Sequence, residues 1–177
     1  MTFFPPLETE RLYLRPISRS DSEFIVQHFL EPSVQQYLYD NEPMTTPEEA
    51  LAIIDFYVNP IDTTYNRWVL VRNSDQCPIG TCGFHYWNSA HRRAEIGYDL
   101  SPTYVGNGYM TEAVRAMLDH GYNKLDLYRI EAQVAVENLR SQALLERLGF
   151  QREGLLRANF WSGGQPHDHY LFARLRD

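Results

Sequence analysis

Polar and apolar residues alternate over Arg11-Leu12-Tyr13-Leu14-Arg15 and the run halts at Pro16, which predicts an early strand. Ser20-Asp21-Ser22-Glu23 then offers a helix start. Phe24, Ile25, His28 and Phe29 supply its apolar positions until Pro32 interrupts them. A second start stands at Thr46. Pro47 suits the first helical position and Glu49 lies three residues past the cap, so Thr46 and Glu49 can each satisfy an unpaired backbone amide. This capping box predicts a helix from Pro47 to Val58, with Ala50, Leu51, Ile54 and Val58 facing inward and Asn59-Pro60 ending it.

The period then changes. Trp68-Val69-Leu70-Val71, Ile79 to Tyr86 and Arg93 to Leu100 read as three strands joined by polar turns at Asn73-Ser74-Asp75-Gln76 and Asn88-Ser89-Ala90. Helical spacing returns from Tyr109 to His120, with Met110, Ala113, Val114, Met117 and Leu118 as core positions and Gly121 as a stop. Tyr128 to Val134 alternates again. Asn138 can cap a helix to Leu148 that Gly149 closes in the left-handed conformation, and Phe150 to Phe160 and His169 to Leu175 are the last strands. The order is a strand, helices, a three-stranded meander, then helix, strand, helix and two strands. It predicts a mixed α/β layer fold without an internal repeat.

The 177 residues suit one domain, spanning 1–177. With 44% hydrophobic and 22% charged residues, disorder is not expected. A net charge of −7 disfavours a nucleic-acid surface and mildly favours a cationic substrate. Cys77 and Cys82 are too few for a disulfide framework and lack metal-site spacing, so they read as buried or strand thiols. No apolar run approaches the roughly 20 residues a bilayer requires, and Met1 to Pro6 lacks the features of a secretory signal. The expectation is a cytoplasmic protein with no membrane partner.

Chemistry concentrates in Glu95-Ile96-Gly97-Tyr98-Asp99-Leu100-Ser101-Pro102 and the Thr103-Tyr104-Val105-Gly106-Asn107-Gly108-Tyr109-Met110-Thr111-Glu112-Ala113 that follows. A strand ends, the chain turns through two glycines, and a helix begins. Glycines let backbone amides approach a bulky anion, the helix adds unpaired N–H groups and a favourable dipole, and the Thr111 hydroxyl can add a hydrogen bond. A pyrophosphate suits this arrangement. A nucleoside-triphosphate loop does not, because no Gly-Lys-Ser/Thr is present, and the third glycine of the dinucleotide fingerprint is missing. Two glycines before a helix also occur in any tight strand–helix connection.

The chain resembles the Gcn5-related N-acetyltransferase superfamily, and within it the ribosomal-protein-alanine acetyltransferase-like branch. The family's acetyl-CoA motif, Gln/Arg-x-x-Gly-x-Gly/Ala, falls on Val105, Gly106, Asn107, Gly108, Tyr109 and Met110. Val105 replaces the usual polar residue, and Met110 replaces a small one and crowds the phosphate approach unless it points into the core. Ala94 to Tyr98, Pro102-Thr103-Tyr104, Tyr128 to Ala132, Glu137-Asn138 with Ser141, and Leu148-Gly149-Phe150 also look like the family. So do Leu7-Glu8-Thr9-Glu10-Arg11-Leu12 and Gly154.

The resemblance implies an acetyltransferase fold, a mixed central sheet with a splayed strand pair and helices on both faces. It implies acetyl-CoA as cofactor, released as CoA, with the pantetheine arm lying between the strand of Tyr98 and Leu100 and the strand beginning near Tyr128. Asn138 and Ser141 would lie near the distal pantetheine and the acetyl group. Asn138 also serves as an ordinary helix cap, and Ser141 is tolerated in any first turn. Acetyl transfer would be direct attack by a neutral amine, with a carboxylate removing the proton and backbone amides stabilising the developing negative charge. Glu95 is the first choice for that carboxylate. It also reads as a solvated or substrate-orienting residue. Asp99 shares its strand face but lies near the cofactor loop.

The family's proton-donating Tyr corresponds to Leu145, which leaves water or Ser141 to protonate the thiolate. His167-Asp168-His169 lacks a third metal partner, so no metal is expected. His85 and His91 read as strand or turn residues, with a substrate-facing position as the alternative, and Trp161 as cleft wall, packing or oligomer contact. The acceptor reads as a protein N-terminal α-amine, with a polyamine, amino sugar or aminoglycoside as the alternative. A catalytically weak acyl-CoA-binding module is the reading from a different class. A homodimer follows from the resemblance alone.

Overall fold

The computed structural model describes residues 3–40, 42–58 and 64–176, so the expected stop at Asn59-Pro60 lies outside the described residues. The strands are β1 (Leu7–Glu8), β2 (Leu12–Pro16), β3 (Trp68–Arg72), β4 (Pro78–Asn88), β5 (Arg93–Leu100), β6 (Arg129–Ala135), β7 (Gln151–Ser162) and β8 (Gln165–Leu175). The helices are α1 (Ser22–Phe29), α2 (Pro32–Gln35), α3 (Pro47–Val58), α4 (Tyr109–Asn123) and α5 (Leu139–Arg147). All eight strands form one sheet in the order β1-β2-β3-β4-β5-β6-β8-β7. The β5–β6 pair is parallel and the other neighbours are antiparallel. This is the mixed α/β fold expected, with helices on both faces.

Local chemistry explains the helix limits. Thr46 N donates to Glu49 Oε2 at 3.0 Å while Glu49 N donates to Thr46 Oγ1 at 3.3 Å, the reciprocal cap expected of α3. Ser141 N donates to the Asn138 side chain at 3.1 Å at the start of α5, and Gly149 closes that helix with φ +83°. Each sheet face carries its own apolar layer. Ile25, Phe29, Ala50 and Ile54 of α1 and α3 pack on Val69 and Val71. On the opposite face, Val114 and Met117 of α4 and Leu145 of α5 pack with Leu14, Trp68, Phe84 and Ile130.

Three sequence expectations need correction. Gly121 does not stop α4, which runs to Asn123. A Cβ at that position would lie 3.0 Å from Ile130 and Phe84, so the glycine lets the helix press onto the sheet. Val58 is exposed, and Tyr57 packs inward instead. Pro32 interrupts the first helix as expected: α1 ends at Phe29, and the proline opens the short α2 at its first turn, where its missing N–H costs nothing. The last two strands are longer than expected, joined at Gly163-Gly164, whose positive φ of 58° and 76° suits a two-residue hairpin turn.

The feature that positions the site is where two neighbours part. The β5 and β6 strands pair only at Arg93–Arg129, Ala94–Ile130 and Glu95–Glu131. Beyond Glu95, β5 continues to Leu100 against β4 alone and β6 continues to Ala135 against β8 alone. The edge of β5 facing the gap therefore keeps unpaired peptide groups.

Candidate active site

The opening between β5 and β6 leads to the glycine turn. Gly106 and Gly108 have φ of +86° and +80°, left-handed values that favour glycine, and Gly108 is the N-cap of α4. Nothing lies within 4 Å of where a Gly106 Cβ would stand. The turn from Val105 to Gly108 is exposed. Glu112 N is the first amide of this turn of helix to close onto a carbonyl, that of Gly108 at 3.1 Å. The amides ahead of it face the open turn without intrahelical acceptors. Met110 points into the core, so it does not crowd the approach. Tyr109 and Thr111 are half-buried at the head of the helix, and the Asn107 side chain braces the turn by donating to the carbonyls of Tyr104 and Val105. These residues fit an anionic diphosphate.

At the other end of the opening, the Tyr98 and Ser141 hydroxyls share a hydrogen bond of 2.6 Å that links β5 to α5. Asn138 orients Ser141 through the cap already described. Burial raises the Tyr98 hydroxyl above its ordinary pKa, so it stays protonated at neutral pH. Leu100 packs at the rim of the core on the same side of β5. Thus Tyr98 and Leu100 share one face of β5, and Tyr98 ties that strand to Ser141 and its cap Asn138.

Glu95 sits where the strands part, on the opposite face of β5 from Tyr98. Burial pushes its carboxyl up to about 7, and repulsion from Glu131 and Asp40 works in the same direction. One hydrogen bond opposes them. Gln133 Nε2 donates to Glu95 Oε2 at 3.0 Å, and Asn159 Nδ2 donates to Gln133 Oε1 at 2.6 Å. That second bond fixes which end of the Gln133 amide faces Glu95. Sequence reasoning missed both amides. The only signal for Gln133 was that it lies two residues after Glu131 in an alternating strand. Nothing in the sequence pairs Asn159 with it.

Asp99 has a different role from Glu95. It accepts hydrogen bonds from His28 Nε2 (2.6 Å), Arg67 Nη1 (2.9 Å), Thr81 N (2.9 Å) and Thr81 Oγ1 (2.7 Å). Burial works to raise its pKa, but His28, Arg67 and Thr81 together hold the carboxyl below its ordinary value. His85, opposite Glu95 in the β4–β5 register, reaches Tyr57 OH at 3.0 Å. Burial, with the nearby Arg67, keeps it neutral, down to about 3. A Cβ on Gly97 would stand 2.9 Å from the His85 ring, so the glycine makes room for the imidazole.

The remaining candidates have plain roles. His167 stacks on Tyr39 at 3.7 Å between ring centroids, Asp168 accepts from Ala158 N at 2.7 Å, and His169 is buried against Phe160. Among the described residues no group of three or more His, Cys, Asp or Glu could hold a metal ion. His91 lies in the exposed turn before β5. Trp161 is 69% exposed at the tip of the last hairpin. Cys82 is a buried free thiol and Cys77 a half-buried one.

A family model described as an acetyltransferase (GNAT) domain matches residues 11–151. The chain belongs to the GNAT acetyltransferase family. Transfer of an acetyl group from acetyl-CoA to an amine is the activity that membership gives it. It is 37% identical over 171 residues to the uncharacterized N-acetyltransferase YoaA of Bacillus subtilis, covering 96% of each chain. It is 31% identical over 152 residues to the spermidine N(1)-acetyltransferase of Escherichia coli K12, covering 86% of this chain and 79% of the other. The structure of spermidine N-acetyltransferase from Vibrio cholerae in complex with CoA and spermine superposes with a TM-score of 0.82 at 27% identity, over 94% of this chain and 96% of that one.

As a GNAT acetyltransferase the chain departs from the family pattern at Leu145, which is fully buried in the core and has no access to the opening. Tyr98 on β5 and Ser141 on α5 carry a pair of hydrogen-bonded hydroxyls. Among the described residues no helix is long and apolar enough to cross a membrane.

Proposed function

We propose that this GNAT acetyltransferase acetylates a primary amine of a small cationic acceptor of the polyamine class, with Glu95 as general base. The observation that carries the reading is the Glu95 carboxyl at the fork of β5 and β6, with a pKa of about 7 and an oriented amide on one oxygen. A base works best when its pKa is near the working pH. At pH 7 an amine of pKa about 10.4 is below 0.1% neutral, so it needs a group that takes its proton as it attacks.

Acetyl-CoA supplies an activated acetyl thioester when bound. Amides of the Val105–Thr111 turn would hold its diphosphate. The free edge of β5 at Tyr98 and Leu100 would align the arm, and the Asn138 and Ser141 end of α5 would flank the thioester. The Ser141 hydroxyl, backed by Tyr98, would return a proton to the leaving sulfur. On the other face, Glu95 would accept the amine's proton.

The charge on that face supports a cationic acceptor over a protein N-terminus. Asp40 acts electrostatically on Glu95 and on His169, and Glu137 acts on both Tyr39 and His169. Asp40 and Glu137 therefore add negative charge near Tyr39 and His169, rings that pack in turn on His167 and Phe160. Such a cluster can hold ammonium groups by charge and by ring faces. The spermidine-acetylating relative fits this reading.

Thiol release from acetyl-CoA with spermidine and other diamines, aminoglycosides and N-terminal peptides is the test. Polyamines should give the highest kcat/KM, and Glu95→Gln should lower it about hundredfold or more. Release with N-terminal peptides alone would reject the acceptor class. Binding without release across the whole panel would reject catalysis in favour of an acyl-CoA-binding module.

A further inference from the structure

We infer that Arg11, at the turn between β1 and β2, is a cofactor-binding residue that supplies the diphosphate of CoA with the positive charge its own loop lacks. The Val105–Thr111 segment contains no Lys, Arg or His, and its first position is an exposed valine. Arg11 reaches this loop from nearly a hundred residues away. Its Nη1 donates to the Asn107 carbonyl at 3.0 Å, and its guanidinium lies 4.6 Å over the Tyr109 ring centroid. Its Nη2 is 3.5 Å from where a Cβ on Gly108 would stand and donates to no acceptor among the described residues. The side chain is 43% exposed, so that nitrogen faces an accessible loop.

Arg11 is placed by a clamp. Glu112, in the first turn of α4, accepts from Arg11 Nε at 2.7 Å, Arg11 N at 2.8 Å and Thr9 Oγ1 at 2.6 Å. A carboxylate there is favoured by the helix dipole, yet alone it would repel a diphosphate. The clamp neutralises Glu112 and holds the guanidinium so that its remaining N–H groups face the open turn. Arg11 can thus act in two separable ways, by touching the diphosphate or only by masking Glu112. The inference is the first, since a free, oriented N–H fork suits phosphate oxygens.

The inference rests on CoA binding at this turn, and titration calorimetry with CoA and 3′-dephospho-CoA separates the two. Arg11→Ala should weaken both nucleotides about tenfold, the scale of one hydrogen bond between charged groups. It should also remove part of the salt dependence of Kd. Glu112→Gln should keep at least wild-type affinity, and the double variant should stay weaker than Glu112→Gln, recovering only the part of the loss that unmasking Glu112 causes. Wild-type affinity in the double variant would show masking alone and overturn the inference. So would an unchanged Kd for Arg11→Ala, a loss seen with CoA but not 3′-dephospho-CoA, or a loss with unaltered salt dependence. Should Arg11→Ala fail to fold, Arg11→Met keeps the packing over Tyr109 and carries the same measurements. A wild-type protein that binds neither nucleotide would sink the cofactor assignment itself.

Discussion

Glu95 and Asp99 lie four residues apart on one face of β5, yet their carboxyls are driven in opposite directions. Both are taken out of water, which favours the protonated form. Asp99 meets a guanidinium, an imidazole and the hydroxyl and amide of Thr81, and the charged form wins. Glu95 meets one neutral amide and two like charges, and burial wins. The lesson concerns partners, since strand position is nearly the same. A carboxylate with every lone pair satisfied is structural, whereas one left short of donors in a cleft is free to exchange a proton.

The largest expected effect breaks the Asp99 side. Asp99→Ala leaves the Arg67 guanidinium buried without its counter-charge and should cost about 3–5 kcal/mol, read as a fall in denaturant midpoint. The pH dependence carries a sign. Because the folded Asp99 pKa is depressed, its contribution is present above the ordinary aspartate range and is lost as pH falls through the folded value. A variant with unchanged midpoint would mean the ion pair contributes nothing net.

On the Glu95 side the sign reverses. The wild-type rate should rise with pH through about 7 as the carboxyl ionises, and Glu95→Gln should flatten that limb. The same raised pKa means the folded state holds its proton more tightly than the unfolded chain, so ionisation destabilises the fold as pH rises from about 4.3 toward 7. Glu95→Gln should therefore unfold at a higher temperature than wild type at pH 8, with the gap closing toward pH 4.5. Equal melting temperatures at both pH values would contradict the buried, poorly partnered state of Glu95.

The smallest effect tunes the contrast. Gln133→Leu removes the one hydrogen bond that favours the charged carboxylate, so the alkaline shift of the pH–rate limb should be about one pH unit. Asn159→Ala should shift it the same way by less, because Gln133 remains but loses its orienting partner. A shift in KM with an unmoved pH profile would assign Gln133 to acceptor contact instead.

Much of the cofactor half could be read from the chain. Gly106 and Gly108, the helix beginning at Tyr109 and the Asn138 cap are contiguous signals, and each acts mainly through its own backbone. Leu145 could be seen to lack a hydroxyl without any structure. The acceptor half was legible only at Glu95. Its partners come from β6, β7 and the loop after α2, and Gln133, Asn159 and Asp40 carry no local pattern that links them. Arg11 was visible as part of a strand motif, but not as a neighbour of a loop whose residues come some ninety-five positions later.

The sequence by itself determined the order of the longer strands and helices, though not the two-residue β1 or the short α2, together with the glycine turn ahead of α4 and the presence of an acidic residue at the position of Glu95. Those depend on period, capping and backbone freedom over a few adjacent residues. Tertiary structure alone decided that Tyr57 and not Val58 faces inward, that Gly121 packs instead of stopping a helix, and which of two carboxylates on β5 keeps its proton. Burial and partner choice are properties of surfaces brought together from distant segments, and one strand's pattern does not carry them.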